Sequence, residues 1–228
     1  MTIHESKFIA TPEQGEVSSI LVRPNDAKCL IVLGHGAGAG MRHTNMERIA
    51  EELAAVGIAS FRYQFPFMER GGGRDSQKVS LATVQSAVKA AQISAPDLPL
   101  LAGGHSFGGR MTSWAAAECM IPEAKGIIYF AFPLHAPGKT GAERAAHLVN
   151  IEQPMLFLSG TRDALAKLEY LEPLVESLGD QASLHLLDTA NHGYKILKRS
   201  RTSDEDVFVE MARVVEGWVS MMPNLTNT

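Results

Sequence analysis

A serine within a glycine-rich turn is the first residue of this chain whose setting suggests chemistry. Ser106 lies in GHSFG, a G-x-S-x-G pattern between the apolar run LPLLAGG and a helical stretch. On so sharp a strand-to-helix turn, a serine projects its hydroxyl outward if its neighbours lack side chains. Gly104 and Gly108 satisfy that condition, and the turn leaves the Phe107 amide free to donate. The pattern predicts a nucleophilic serine, with a helix N-cap as the alternative role for Ser106.

A serine nucleophile needs a base, and the base needs a carboxylate to orient it. His192 follows the apolar run ASLHLLD, and Asp163 follows the run QPMLFLSG, so each comes just after a predicted strand. The chain order Ser, Asp, His is the one that accompanies this type of turn. Asp188 is a competing acid, but it ends the strand that leads to His192 and reaches the far side of the imidazole less easily. We therefore predict a triad of Ser106, His192 and Asp163.

A second glycine-rich stretch, IVLGHGAGAG at residues 31–40, allows two interpretations. Its GHGAGA segment matches the dinucleotide fingerprint G-x-G-x-x-G/A. That fingerprint requires a helix to open within the glycine run, so that the helix N-terminus meets the phosphates. Here the helix-start signal comes later, where Thr44 and Glu47 form a predicted capping box. Arg62 also stands where an acidic residue is expected, although an NADP site could use an arginine.

The other interpretation of this stretch is an oxyanion loop. The Ala37 amide would then donate to a developing oxyanion together with the Phe107 amide, and such a donor contributes about 3 kcal/mol of transition-state stabilisation. Gly36 and Gly38 would let the backbone come within hydrogen-bond distance of the substrate. We favour this interpretation because the predicted helix begins too late for a dinucleotide site.

Apolar runs of strand length alternate with stretches of helical periodicity along the chain. This alternation predicts an α/β fold, with a mostly parallel central sheet and helices on both faces. Nothing in the sequence suggests a linker, so residues 1–228 are expected to form a single domain. Because the carboxyl ends of the strands share one edge, the loops that carry the candidate residues should meet there.

The segment between the strand ending near Phe130 and the next strand leaves room for a short helix only. We therefore expect little or no lid, and a site that favours small or short-chain acyl groups. His135 and Phe65 lie at the predicted edge of the sheet and are candidates for contact with the substrate. A turn role for His135 and a core role for Phe65 are the alternatives.

Composition narrows the functional classes. Of 228 residues, 45% are hydrophobic and 20% are charged, and the net charge of −4 argues against a nucleic-acid surface. No apolar run is long enough to span a membrane, and the N-terminus does not look like a signal peptide.

Cys29 and Cys119 lie in apolar segments and are predicted to be buried thiols of a cytoplasmic protein. No histidine pair has metal-ligand spacing, so we expect neither a metal nor a cofactor. The expected partner is a small acyl substrate, and the protein is expected to be a monomer or homodimer.

Six stretches together resemble the α/β-hydrolase superfamily, and within it the dienelactone-hydrolase-like group of small serine hydrolases. They are GHGAGAGM, FRYQFPFME, GGHSFGGR, AFPLHAPGK, GTRDAL and NHGYK. The resemblance implies an α/β-hydrolase fold and hydrolysis of a carboxylic ester or related acyl bond by Ser106, His192 and Asp163. Dienelactone itself is not the expected substrate, because Ser106 stands where dienelactone hydrolases proper have cysteine. A non-catalytic interaction module of the same fold and an NADP-dependent reductase are the other two hypotheses.

Overall fold

The apolar runs form one β-sheet in the computed structural model, which describes residues 1–222. The strands are β1 (Thr2–Thr11), β2 (Gly15–Arg23), β3 (Cys29–Gly34), β4 (Ile58–Tyr63), β5 (Leu100–His105), β6 (Ile127–Phe130), β7 (Met155–Gly160) and β8 (Ala182–Leu187). Within the described residues the sheet has eight strands in the order β1-β2-β4-β3-β5-β6-β7-β8. The pairs β1–β2 and β2–β4 are antiparallel and all other pairs are parallel. The predicted mostly parallel sheet is confirmed.

Helices cover both faces of this sheet. They are α1 (Thr44–Ala55), α2 (Pro66–Glu69), α3 (Gln77–Ser94), α4 (Phe107–Ala117), α5 (Leu168–Leu178) and α6 (Val207–Ser220). Successive side chains of a strand point to opposite faces of the sheet. Leu30 and Val32 of β3 therefore pack on the face that α3, α4 and α5 cover. Ile31 and Leu33 pack on the other face, which α1 and α6 cover. All of β3 is buried, as expected of a central parallel strand. Each such Leu or Ile contributes about 2 kcal/mol by leaving water.

Two local expectations are corrected by the structure, and one strand is additional to those predicted. Helix α1 is capped by His43, whose Nδ1 accepts from the Asn45 amide at 3.2 Å, so Thr44 is already helical and the predicted capping box does not form. Cys29 is buried as predicted, but Cys119 is exposed, because it follows the end of α4 in a left-handed turn with φ of 53°. Strand β1 was not anticipated, since much of this edge strand faces solvent and it lacks a continuous apolar run.

The connections at the carboxyl edge of the parallel strands are short. Between β6 and β7, residues 131–154 contain only two 3-10 helices, Glu143–Ala145 and Leu148–Asn150, so this connection forms no large cap. The turns after β3, β5, β7 and β8 emerge at the same edge and carry the candidate residues. Among the helices of residues 1–222, none is both long and apolar enough to span a membrane.

Candidate active site

Ser106 occupies a strained turn between β5 and α4. Its backbone angles are φ 52° and ψ −108°, in a region that residues with a side chain rarely adopt. The Ser106 amide donates to the Phe130 carbonyl at 3.0 Å, and the Arg110 amide donates to the Ser106 carbonyl at 3.0 Å. The first bond ties the turn to the neighbouring strand, and the second begins the helix. Ser106 is therefore held as an elbow, as its sequence pattern predicts.

The glycines on either side of Ser106 are required by the close approach of main-chain atoms. A Cβ atom on Gly104 would lie 2.4 Å from the carbonyl oxygen of Gly34, and one on Gly108 would lie 2.2 Å from that same oxygen. Neither contact can be relieved by rotating a side chain, because all the atoms involved belong to the backbone. The end of β3 therefore packs directly against the start of α4, which places the following loop beside the serine.

Ser106, His192 and Asp163 form one chain of hydrogen bonds. His192 Nδ1 lies 2.8 Å from Asp163 Oδ2, and His192 Nε2 lies 2.8 Å from Ser106 Oγ. Because an ionised carboxylate can only accept, Nδ1 carries the hydrogen and Nε2 is free to accept from the serine hydroxyl. The side chains that the sequence places on three separate loops thus meet in the geometry of a serine nucleophile with its base and orienting acid.

The two candidate acids have different surroundings. The Asp163 side chain has no exposed surface, and its second oxygen, Oδ1, accepts from the Leu165 amide at 2.8 Å. Asp188 points elsewhere: its Oδ2 accepts from the Thr202 amide at 2.8 Å, and this bond lowers the pKa of its carboxyl. The structure thus pairs Asp163 rather than Asp188 with His192.

A local turn and a neighbouring ring hold the loop that carries His192. Asn191 Oδ1 accepts from the amides of Gly193 and Lys195, both at 3.0 Å, and so closes the loop on itself. The ring of His105 lies beside this loop, with Nε2 at 3.2 Å from the His192 carbonyl, to which it donates. Burial lowers the pKa of His105 to about 4, so the ring is neutral near pH 7. This contact between the His105 ring and the His192 loop was not predicted from the sequence.

The loop after β3 contributes two backbone features. Within residues 1–222, neither the Ala37 amide nor the Phe107 amide donates to a protein acceptor, and both residues line a cavity that Ser106 also lines. The buried ring of His35 connects this loop to the segment after β4. Its Nδ1 donates to the Gly36 carbonyl at 2.8 Å, and its Nε2 accepts from the Phe65 amide at 3.0 Å. Burial lowers the pKa of His35 to about 4, which preserves this pattern of one donor and one acceptor at neutral pH.

Two cavities meet at Ser106. The larger, of about 430 Å³, extends towards Phe107 and the β6–β7 connection. The smaller, of about 270 Å³, extends towards His192 and the start of α1. Gly38 and Ala37 line both cavities, whereas Gly36 lines the smaller one. The predicted oxyanion loop therefore forms the boundary between them.

Two residues predicted to contact a substrate do not reach these cavities. Phe65 has 0% exposure and packs edge-to-face against the rings of His35 and Phe107, so it supports the site from the core. His135 is also buried, with 2% exposure, and its carbonyl accepts from the Arg144 side chain at 2.9 Å. Both predictions are corrected: burial leaves neither side chain a surface that a ligand could touch.

The larger cavity contains residues that the sequence interpretation missed. Three arginines, Arg74, Arg110 and Arg144, line it together with Pro133, Ala136 and Pro137. Arg110 offered a signal in the sequence, because a residue four positions after Ser106 lies one helical turn along the same face. Arg74 and Arg144 gave no such signal. In the part of the chain that the structure describes, no group of three or more His, Cys, Asp or Glu side chains could hold a metal ion.

Comparison with solved structures gives matches across nearly the whole chain. A dienelactone hydrolase from Anabaena variabilis is 17% identical, with a TM-score of 0.74 over 96% of this chain and 98% of that one. An α/β serine hydrolase without lid from Xanthomonas campestris is also 17% identical, with a TM-score of 0.74 over 100% of this chain and 97% of that one. An esterase domain from Rhodothermus marinus is 17% identical, with a TM-score of 0.72 over 96% of this chain and 98% of that one. At these identities the likeness establishes the fold.

A protein-family model assigns the chain to a family, whereas these structures establish only its fold. The model described as the alpha/beta hydrolase domain matches residues 27–220, which include every residue of the predicted triad and oxyanion loop. The match begins just before β3 and continues to the end of α6. The chain therefore belongs to the α/β hydrolase domain family.

Proposed function

We propose that this protein is a serine hydrolase that cleaves small or short-chain carboxylic esters through an acyl-enzyme. The observation that carries the proposal is the unbroken hydrogen-bond chain from Ser106 Oγ through His192 to Asp163. Membership of the α/β hydrolase family supports it, and the esterase and dienelactone hydrolase among the similar structures agree with it.

In the first half of the proposed reaction, Ser106 Oγ attacks the carbonyl carbon of the ester while His192 Nε2 takes the hydroxyl proton. Asp163 stabilises the imidazolium and keeps its Nδ1–H in place. Negative charge develops on the former carbonyl oxygen, and the amides of Ala37 and Phe107 donate to it in this proposal. When the tetrahedral intermediate collapses, the alcohol leaves with the proton from His192.

Water completes the cycle. It attacks the acyl carbonyl as His192 Nε2 removes a proton from it, and the second tetrahedral intermediate collapses to release the acid and restore the Ser106 hydroxyl. The short β6–β7 connection leaves the site open to solvent, so water can reach the acyl-enzyme. Cavities of about 430 and 270 Å³ suit small acyl and alcohol groups better than long lipid chains.

The test combines covalent labelling with turnover of p-nitrophenyl esters. A fluorophosphonate probe should label Ser106, and p-nitrophenyl butyrate should be hydrolysed. Ser106→Ala should abolish labelling and lower kcat by about 10⁴-fold or more, because nucleophile and base act as one unit. Ser94→Ala is a matched control, since Ser94 lies at the exposed end of α3 and its hydroxyl contacts only the Ala90 carbonyl. Full activity in Ser106→Ala would remove this serine from the mechanism.

The two other hypotheses predict different results. A non-catalytic module of this fold would remain unlabelled and would hydrolyse no ester in the panel. A nicotinamide-dependent reductase would bind NADP with a dissociation constant measurable by calorimetry. The late start of α1, at Thr44, supports the hydrolase, because the helix N-terminus lies several residues beyond the glycine run.

A further inference from the structure

The larger cavity at Ser106 is strongly basic. Arg110 extends from the second turn of α4, Arg144 from the β6–β7 connection, and Arg74 from the loop before α3. We propose that this cavity binds the acyl part of the substrate and that this acyl group ends in an oxyanion, either a phosphoryl group or a carboxylate. The inference rests on the proposed hydrolase function and specifies its substrate class.

The charge of these arginines is not neutralised by the protein. Within residues 1–222, the side chains of Arg74 and Arg110 have no hydrogen bond or ion pair with an acidic group, and Arg144 donates only to the His135 carbonyl. The acid nearest to Arg74 in sequence, Asp75, is already engaged by Arg70 and by the Phe67 amide. No Asp or Glu of the described chain is among the residues that line the cavity.

Like charges that line one cavity destabilise one another unless a counter-ion joins them. Burial, and the neighbouring Arg144 and Arg74, lower the pKa of Arg110 below its ordinary value. An oxyanion placed among the three guanidinium groups would relieve that repulsion and could accept paired N–H bonds from the edges of these planar groups. A phosphoryl dianion offers more charge and more acceptor oxygens than a carboxylate, so it matches three arginines better.

The position of His192 indicates which part of the substrate occupies this cavity. The leaving alcohol must receive a proton from His192, and His192 lines the smaller cavity but not the larger one. The alcohol therefore belongs in the smaller cavity, and the acyl chain extends into the larger one. The Arg110 amide donates to the Ser106 carbonyl, which keeps this arginine one helical turn from the nucleophile. An anionic end on a short acyl chain would meet its guanidinium.

The first experiment compares two esters of equal acyl length, p-nitrophenyl hexanoate and mono-p-nitrophenyl adipate, whose chains end in a methyl group and a carboxylate. We expect kcat/KM to favour the adipate by about tenfold or more, the usual scale of a hydrogen bond to a charged group. Arg110→Gln and Arg144→Gln should each remove most of that preference, so that the ratio of kcat/KM for the adipate to kcat/KM for the hexanoate approaches one. Arg199→Gln is the control, because Arg199 is exposed and lies outside both cavities.

A second experiment measures binding without turnover. Isothermal titration of the wild-type protein with inorganic phosphate, and separately with adipate, is carried out at constant ionic strength. Tighter binding of phosphate would identify the phosphoryl form of the proposal, and tighter binding of adipate the carboxylate form. Arg74→Gln should weaken the binding of phosphate and of adipate. Arg74 is an exposed loop residue, so it can be replaced with little risk to folding.

The outcomes separate this inference from the proposed function. Efficient hydrolysis of the hexanoate, with no preference for the adipate and no binding of either ion, would overturn the oxyanion site and leave the esterase intact. Failure to label Ser106, with no ester hydrolysed, would overturn the esterase. In that case the titrations still decide whether the arginines bind an oxyanion.

Discussion

Gly34 and Gly108 meet backbone to backbone where β3 ends against the start of α4. A Cβ atom on Gly108 would lie 2.2 Å from both the carbonyl carbon and the carbonyl oxygen of Gly34. Gly34 leads into the loop that carries the Ala37 amide, and Gly108 follows Ser106 by two residues. The absence of two side chains therefore sets the distance between the oxyanion loop and the nucleophile.

This contact predicts that Gly108→Ala is costly. The new methyl group can be accommodated only by moving main chain, so we expect a loss of about 3 kcal/mol in the free energy of unfolding, measured by urea denaturation. Ester hydrolysis should fall as well, because the displaced loop carries a proposed oxyanion donor. The matched control is Gly217→Ala in α6, where an added Cβ meets no atom within 4 Å. That change should stabilise the helix by about 0.5–1 kcal/mol. Equal stability of the two variants would contradict the steric argument.

The pairing of Asp163 with His192 predicts a selective effect of removing its charge. Asp163→Asn keeps the shape of the side chain but can donate to Nδ1, which favours the wrong imidazole tautomer and removes the charge that stabilises the imidazolium. We expect kcat for p-nitrophenyl butyrate to fall by about 10⁴-fold near pH 7, with a much smaller change in KM.

Asp188→Asn is the matched control for that variant. Asp188 lies four residues before His192 but bonds to Thr202, so its replacement should leave kcat within a few-fold of wild type. If Asp188→Asn lost activity and Asp163→Asn retained it, the assignment of the orienting acid would be reversed.

Three histidines, two of them buried and one half-buried, predict that acid destabilises the fold. Burial is the main cause that lowers the pKa of His35, His105 and His147 from 6.5 to about 4 in each case. Between those pH values the unfolded chain binds more protons at these positions than the folded chain does. The free energy of unfolding is therefore highest above about pH 6.5, declines as the pH falls, and levels off for these groups below about pH 4. The decline is at most ~1.4 kcal/mol per pH unit for each histidine.

Urea denaturation at a series of pH values measures this slope. His147→Gln should make it shallower, because it removes one of the three groups whose pKa burial lowers; this histidine packs flat against Trp114 and bonds to the Ser113 hydroxyl. His4→Gln, in the exposed part of β1, is the control variant. A slope that is identical in wild type and His147→Gln would exclude this histidine as a source of acid sensitivity.

Local patterns in the sequence were sufficient for the central elements. Strands β7 and β8 form within the apolar runs QPMLFLSG and ASLHLLD that predict them. The loops after β7 and β8 carry Asp163 and His192 to the sheet edge, as parallel topology requires. These inferences succeeded because they depend on periodicity and chain order, which a single sequence records.

The inaccurate expectations concern properties that depend on packing. Phe65 lies near the site in sequence but turns into the core, where it contacts His35, and no periodic pattern distinguishes the two outcomes. Arg74 and Arg144 are far apart in sequence, and only the folded chain brings them to the same cavity as Arg110. Strand β1 lacks the continuous apolar run of a central strand because most of it lies at a solvated edge.

The two cavities that join at Ser106 also order the events of the proposed cycle. Once the alcohol departs, the space beside His192 is vacant while the acyl group remains on the other side. Water then arrives at the same position and meets the same imidazole nitrogen that released the alcohol. If the proposed cycle holds, a second alcohol small enough for that space would compete with water for the acyl group, and a site divided in this way at Ser106 would also carry out transesterification.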